Sequence, residues 1–171
     1  VPLQFFKLRP DNFPNIRLSQ LANVFSKNQQ LFSDCIQVKS IKELTKIFDV
    51  AFSEYWQTHY TFDKESPKRT KKISAGFIEL IMINTIIPLQ FAYFKSRNEE
   101  VQEILMEMLH EILPEKNVII DKFQALGLSV KNAFDTQSLL QLKNEYCNLK
   151  KCLSCGIGIQ LLHAKVDRKN V

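Results

Sequence analysis

Glycine is scarce in this chain: four of 171 residues, beside six prolines. Tight glycine turns are therefore few, which argues against an all-β sandwich or barrel. No stretch alternates apolar and polar residues long enough to specify a strand, and only the lead-in and Gln37-Val38 leave room for a short hairpin. No glycine-rich phosphate loop, G-x-S-x-G, H-E-x-x-H, EF-hand loop or paired-carboxylate motif is legible. Internal repeats are absent, and so is the charged-then-apolar-then-small pattern of a signal peptide. The chain opens on Val1 rather than Met, directly on Leu3-Gln4-Phe5-Phe6, and is read as a fragment or C-terminal part of a longer protein.

What is present suits one helical domain spanning 1–171. Apolar residues make up 45% and charged residues 24%, the ordinary globular balance, and 13 Phe point to an aromatic-rich core. The expectation is an all-α fold, a compact bundle of six or seven helices. Pro14 suits a first helical turn, and Leu18, Leu21, Ala22 and Phe25 recur at helical spacing, giving a helix over 14–27 whose apolar stripe faces the core. Ser40-x-x-Glu43 is a capping box for a second helix over 41–58, with Phe48, Ala51 and Phe52 on its inner face. The longest apolar run gives a central helix over 73–95. Its length would span a membrane, but Glu79, Asn84, Pro88 and Gln90 lie inside it, so a helix buried on all sides is expected, kinked near Pro88. Asn98 is assigned as cap of a helix over 99–112, Asn117 of one over 118–126 closed by Gly127, and Asp135 of one over 136–147. A last helix covers Cys152 to Lys165, followed by a polar tail.

Net charge is +5, and it is concentrated. Lys64, Lys68, Arg69, Lys71 and Lys72 stand in one stretch, either a solvated loop or a loop that contacts phosphates, since clustered cations gain affinity by releasing counterions. Arg9 and Arg17 flank the start of the first helix, with Gln20 three residues on and on the side opposite the apolar stripe. They pair with neighbouring carboxylates or receive an anion. Trp56, His59, Tyr60 and Glu79 hold the ingredients of acid–base chemistry without its motif, and are read as structural. Cys147, Cys152 and Cys155 give C-x4-C-x2-C. They are read as core thiols or as three ligands of a structural zinc, with His163 or Cys35 as the fourth. Zinc is the cofactor these thiols suit best, an iron–sulfur cluster on the three cysteines ranks below it, and no cofactor at all ranks above both. With no secretory segment, a reducing cytoplasmic setting without disulfides is expected.

Phe6 to Ala22, the run FKLRPDNFPNIRLSQLA, resembles the signature RLRPANFPTIRLAQLA of a bacterial family of unknown function, number 2851 among such domains. Tyr55-Trp56-x-x-His59-Tyr60, Asn84-Thr85-x-x-Pro88, Asp135-x-Gln137-x-Leu139 and Tyr146-Cys147 through Gly158 resemble it in the same order. Lys7 and Asp11 stand where Arg and Ala are expected. The resemblance implies the C-terminal helical part of a longer protein, no assigned activity, and a three-cysteine pattern that belongs to the family. The reading is then a helical accessory or interaction domain packed on its own missing N-terminal region, without a membrane. One alternative is the nucleic-acid-binding part of a processing protein. The other is a metal-stabilised module. An enzyme acting through this stretch alone ranks last.

Overall fold

The computed structural model of the protein describes residues 3–50 and 53–167. Those residues are predominantly helical, and the chain divides into two compact units, Val1–Met108 and Leu109–Val171. Ala51 and Phe52, assigned to the inner face of the second helix, lie outside the described residues, as does the tail from Arg168.

The first unit begins with a short 3-10 turn, Pro10–Asn12, that leads into α1 (Pro14–Lys27), bounded as the sequence predicts. The expected 41–58 helix is two helices, α3 (Ile41–Phe48) and α4 (Glu54–Thr58). At the start of α3, Ser40 Oγ accepts the Glu43 N–H while Glu43 accepts the Lys39 N–H, 2.8 Å away. Between α1 and α3 lies α2 (Leu31–Gln37), which the sequence reading missed. It is short and has no side-chain cap, so nothing local announces it. Its C-terminal carbonyls find their donor elsewhere in the chain. The Gln90 amide, 2% exposed, donates to the carbonyls of Cys35, Ile36 and Val38 at 2.7–3.1 Å.

After α4 the chain makes a hairpin where neither site left open for one lies. Strands β1 (His59–Thr61) and β2 (Lys64–Glu65) pair antiparallel, with Asp63 in the left-handed region at the turn. The stretch beyond β2 folds back rather than looping into solvent: the Ser66 and Arg69 N–H groups donate to the carbonyls of Thr58 and Gln57.

The long apolar segment is helical from Ala75 to Ser96 in three parts: α5 (Ala75–Ile81), π turns over Met82–Ile86, and α6 (Ile87–Ser96). By length and composition it could cross a membrane. It is not buried on all sides. Ile78, Met82, Ile83, Ile86, Ile87 and Gln90 are buried, whereas Leu80 and Phe91 are exposed. The helix continues through Pro88, and the irregularity takes the form of the π turns before it. At the far end, Asn98 is not the cap of the next helix. It takes the left-handed conformation (φ 56°) that closes α6, with the Asn98 and Glu99 N–H groups donating to the carbonyls of Lys95 and Phe94. Helix α7 (Gln102–Glu111) runs across the division between the units.

In the second unit α8 (Val118–Ala125) is capped by Asn117 and closed by Gly127 (φ 90°), as predicted. The next cap is Asn132 rather than Asp135. Asn132 Oδ1 accepts the Asp135 N–H, and the Asp135 carboxylate accepts the Lys131 N–H, the reciprocal arrangement seen at Ser40. Helix α9 (Ala133–Gln141) continues in π turns over Leu142–Cys147. A 3-10 turn, Cys152–Ser154, precedes α10 (Gly156–Asp167), so the last helix starts four residues later than expected. Ile120, Ala133 and Thr136 form the small core between α8 and α9.

Candidate functional site: a basic cleft and a thiol-lined groove

Helix α1 presents two contrasting faces. Ile16, Gln20 and Val24, four residues apart, are buried, while Leu18 (55% exposed), Leu21 (48%) and Phe25 (58%) point outward. The expected orientation is therefore reversed: the apolar stripe is on the outside and Gln20 is inside. The reason is a long-range hydrogen bond. Gln20 Nε2 donates to the Lys71 carbonyl (3.1 Å), and its Oε1 accepts from Arg17 Nη1 (2.8 Å). Both polar ends of the buried amide are satisfied, so its burial carries little penalty.

Lys71 lies beneath the fold-back stretch and is 5% exposed. Its ammonium donates to the carbonyls of Trp56 and His59, each at 2.6 Å, and sits 3.8 Å from the centre of the Tyr60 ring. Tyr60 in turn donates to Asp11 (3.2 Å). Arg17 stacks on Phe77 with its guanidinium carbon 3.7 Å from the ring centre and donates to Asn12. These contacts tie the segment 9–20 to the segment 69–74 around one cleft of about 430 Å³. Arg9, Arg17, Arg69, Lys71 and Lys72 line it, with Asp11 as the one carboxylate in its wall. Two basic stretches that the sequence showed separately thus meet in space. Lys64 and Lys68 do not line the cleft and are exposed.

The cleft perturbs its own groups. Burial lowers the pKa of Lys71, with Asp11 opposing, and does the same to Arg17. Burial, followed by the charge of Asp11, raises the Tyr60 phenol. At the rim Lys72 forms a 2.9 Å ion pair with Asp49, and that hydrogen bond holds the Asp49 carboxyl below its ordinary range. The cleft residues that the sequence did not single out for a site are Asp11, Asn12, Thr70 and Ser74; Gln20 was read beside Arg17, but its burial was not expected. These four are short and polar, and only the fold-back brings them together.

Trp56, His59, Tyr60 and Glu79 do not assemble an acid–base site there. The His59 ring stacks on Tyr55 at 4.0 Å, with Nδ1 held by the Tyr55 carbonyl and the Thr58 hydroxyl. Glu79 is half-buried on α5 and does not line the cleft.

The cysteines belong to the second unit, apart from Cys35, which is buried in α2 with its thiol pushed up by burial and then by Asp34. Cys147, Cys152 and Cys155 line one apolar groove of about 360 Å³, walled by Phe123, Leu126, Leu142, Tyr146 and Ile157. Cys155 is buried; Cys147 and Cys152 are exposed. His163 does not line this groove. Among the described residues no group of three or more His, Cys, Asp or Glu is placed to hold a metal ion. The set Cys147, Cys152, Cys155 and His163 therefore does not fit a tetrahedral zinc site as it stands.

Comparison with curated proteins and with solved structures gives no match. A family model described as a protein of unknown function (DUF2851) matches residues 1–118. All the cleft residues fall inside that span. The resemblance read at 135–139 and 146–158, and with it the cysteine cluster, falls outside it. With more than two-thirds of its length matched, including the FKLRPDNFPNIRLSQLA run and the cleft it helps to build, the chain belongs to the DUF2851 family.

Proposed function

We propose that the first unit binds the phosphate backbone of a nucleic acid in the cleft between 9–20 and 69–74. The observation that carries this reading is the convergence of Arg9, Arg17, Arg69, Lys71 and Lys72 on one concave surface, lined by a single carboxylate. Lys71 serves mainly as structure, since its ammonium is already taken by two carbonyls. Arg9 and Arg69, at the wall, supply the phosphate contacts, with the Thr70 and Ser74 hydroxyls beside them. On this reading the contacts are to the backbone, so binding depends steeply on salt. Fluorescence anisotropy with a labelled DNA or RNA oligonucleotide tests this. Binding at low salt should weaken linearly on a log–log salt plot, and Arg9→Ala and Arg69→Ala should each flatten that slope by about one. No binding at low salt, or binding indifferent to both substitutions, would dismiss the reading.

A second reading rests on the outward stripe of Leu18, Leu21 and Phe25. Three large apolar side chains on one helix face are what an interaction domain offers a partner. On this reading the partner is another part of a longer bacterial, cytoplasmic polypeptide, of which this chain is the C-terminal portion. Helix Ala75–Ser96 is then part of the protein's core rather than a membrane span, a placement supported by the buried Gln90 and its three carbonyl partners. Phe25→Asp should release that partner while leaving the isolated chain folded.

A further inference from the structure

We propose that Cys152 and Cys155 form a dithiol pair that reduces low-molecular-weight disulfides, closing to an intramolecular disulfide as it does so. This inference concerns the second unit and is independent of the cleft.

Three observations carry it. The two cysteines bracket a 3-10 turn in which the Cys155 N–H donates to the Cys152 carbonyl at 3.3 Å. Residues that close such a turn have their Cα atoms within about 7 Å, and a disulfide needs roughly 4.4–6.8 Å. Both side chains line the same groove, so they project to a common side. Their exposures differ in the way a two-step exchange requires: Cys152 is exposed and open to an incoming disulfide, while Cys155 is buried beside it. Cys155 also anchors the following helix, since its carbonyl accepts the Ile159 N–H (2.9 Å). The turn rests directly on that helix. A Cβ added at Gly158 would lie 2.3 Å from the Cys152 carbonyl oxygen, so only glycine lets the turn sit where it does. Cys147 lines the groove too, but no turn ties it to either partner.

The exchange balances without any further reagent. Cys152 gives up its proton, and its sulfur attacks one sulfur of the disulfide RSSR. The S–S bond breaks, and the first RS⁻ leaves and takes up that proton. Cys155 then loses its proton and attacks the Cys152 sulfur, and the second RS⁻ leaves as RSH. Two protein thiols are oxidised by two electrons, and one disulfide is reduced to two thiols.

The test treats the fully reduced chain with excess oxidised glutathione and reads the product by alkylation, intact mass and peptide mapping. The expected product is a Cys152–Cys155 disulfide formed under native conditions, with Cys147 left free to alkylate. Cys155→Ser should stop at a mixed disulfide between glutathione and Cys152. Gly158→Ala should slow ring closure about tenfold by displacing the turn, while Cys152 still alkylates at its original rate. The unsubstituted chain carries the test even if a variant fails to fold. Mapping to a Cys147 pair, closure only in denaturant, or a mixed disulfide on Cys152 that persists in the unsubstituted chain would each overturn the proposal.

Discussion

The two faces of α1 differ in a way that runs against simple amphipathicity. The inner face carries Gln20 among Ile16 and Val24; the outer carries Leu18, Leu21 and Phe25. Counting apolar groups would turn the helix the other way. The orientation follows instead from backbone groups that need partners. The Lys71 carbonyl, in a stretch with no regular structure of its own, must be satisfied, and Gln20 reaches it. Lys71 does the same for Trp56 and His59, and Gln90 for the end of α2. Buried polar side chains in this unit act as fasteners for irregular backbone. The apolar face of Leu18, Leu21 and Phe25 is left exposed.

The most severe way to break this contrast is Lys71→Met. The aliphatic stem survives, but two carbonyls lose their donor and the cleft loses its floor. A loss of about 2–4 kcal/mol in denaturant unfolding is expected; a loss below about 1 kcal/mol would show that the stretch 66–74 does not depend on the ammonium. Phe25→Asp probes the opposite face. Stability of the isolated chain should change by no more than about 0.5 kcal/mol, because the residue is exposed and touches no core. A cost of 2 kcal/mol or more would mean that the outer stripe is core after all. The smallest effect is expected at the rim. The Asp49 carboxyl is held low by Lys72, so this pair contributes stability above the ordinary carboxylate pKa of about 3.9. That contribution disappears as pH falls through the depressed folded value. Thermal midpoints of the chain and of Asp49→Asn should differ slightly at neutral pH and low salt, and converge in acid. A difference that persists unchanged into acid would mean that the pairing does not form. Because both side chains are more than half exposed, added salt should erase most of the difference.

What was legible in the sequence was what is punctuated locally. Pro14, the Ser40–Glu43 box, and Asn117 with Gly127 each placed a helix end within a residue or two. Helix α2 was not legible because its start has no side-chain cap and its C-terminal end is satisfied by Gln90, more than 50 residues away. Asn98 and Asp135 were misassigned for a related reason. Asn both caps helices and terminates them in the left-handed region, and an acidic residue three positions into a helix resembles a cap when Asn132 is overlooked. The hairpin at 59–65 has no Asn-Gly or Asp-Gly turn to announce it. Within the site, the basic residues were legible singly. Their meeting was not, because it depends on Gln20 and Lys71 being buried, and composition argues the other way for both.

The π turns at Met82–Ile86 give the long helix two angular settings. On a uniform α-helix, twelve residues at about 100° each would leave Ile78 and Gln90 about 120° apart around the axis. Both are buried here, because a π turn holds an additional residue and takes back much of that rotation. The segment reads in sequence as greasy on every side because two stripes, one before the turns and one after, have slipped past each other by one residue. The helix works like a shaft cut and rejoined with its keyway shifted. Its N-terminal half is keyed to α3 and its C-terminal half to α2. A one-residue deletion within 82–86 would thus swing one half out of mesh, though no apolar contact near the deletion need be lost.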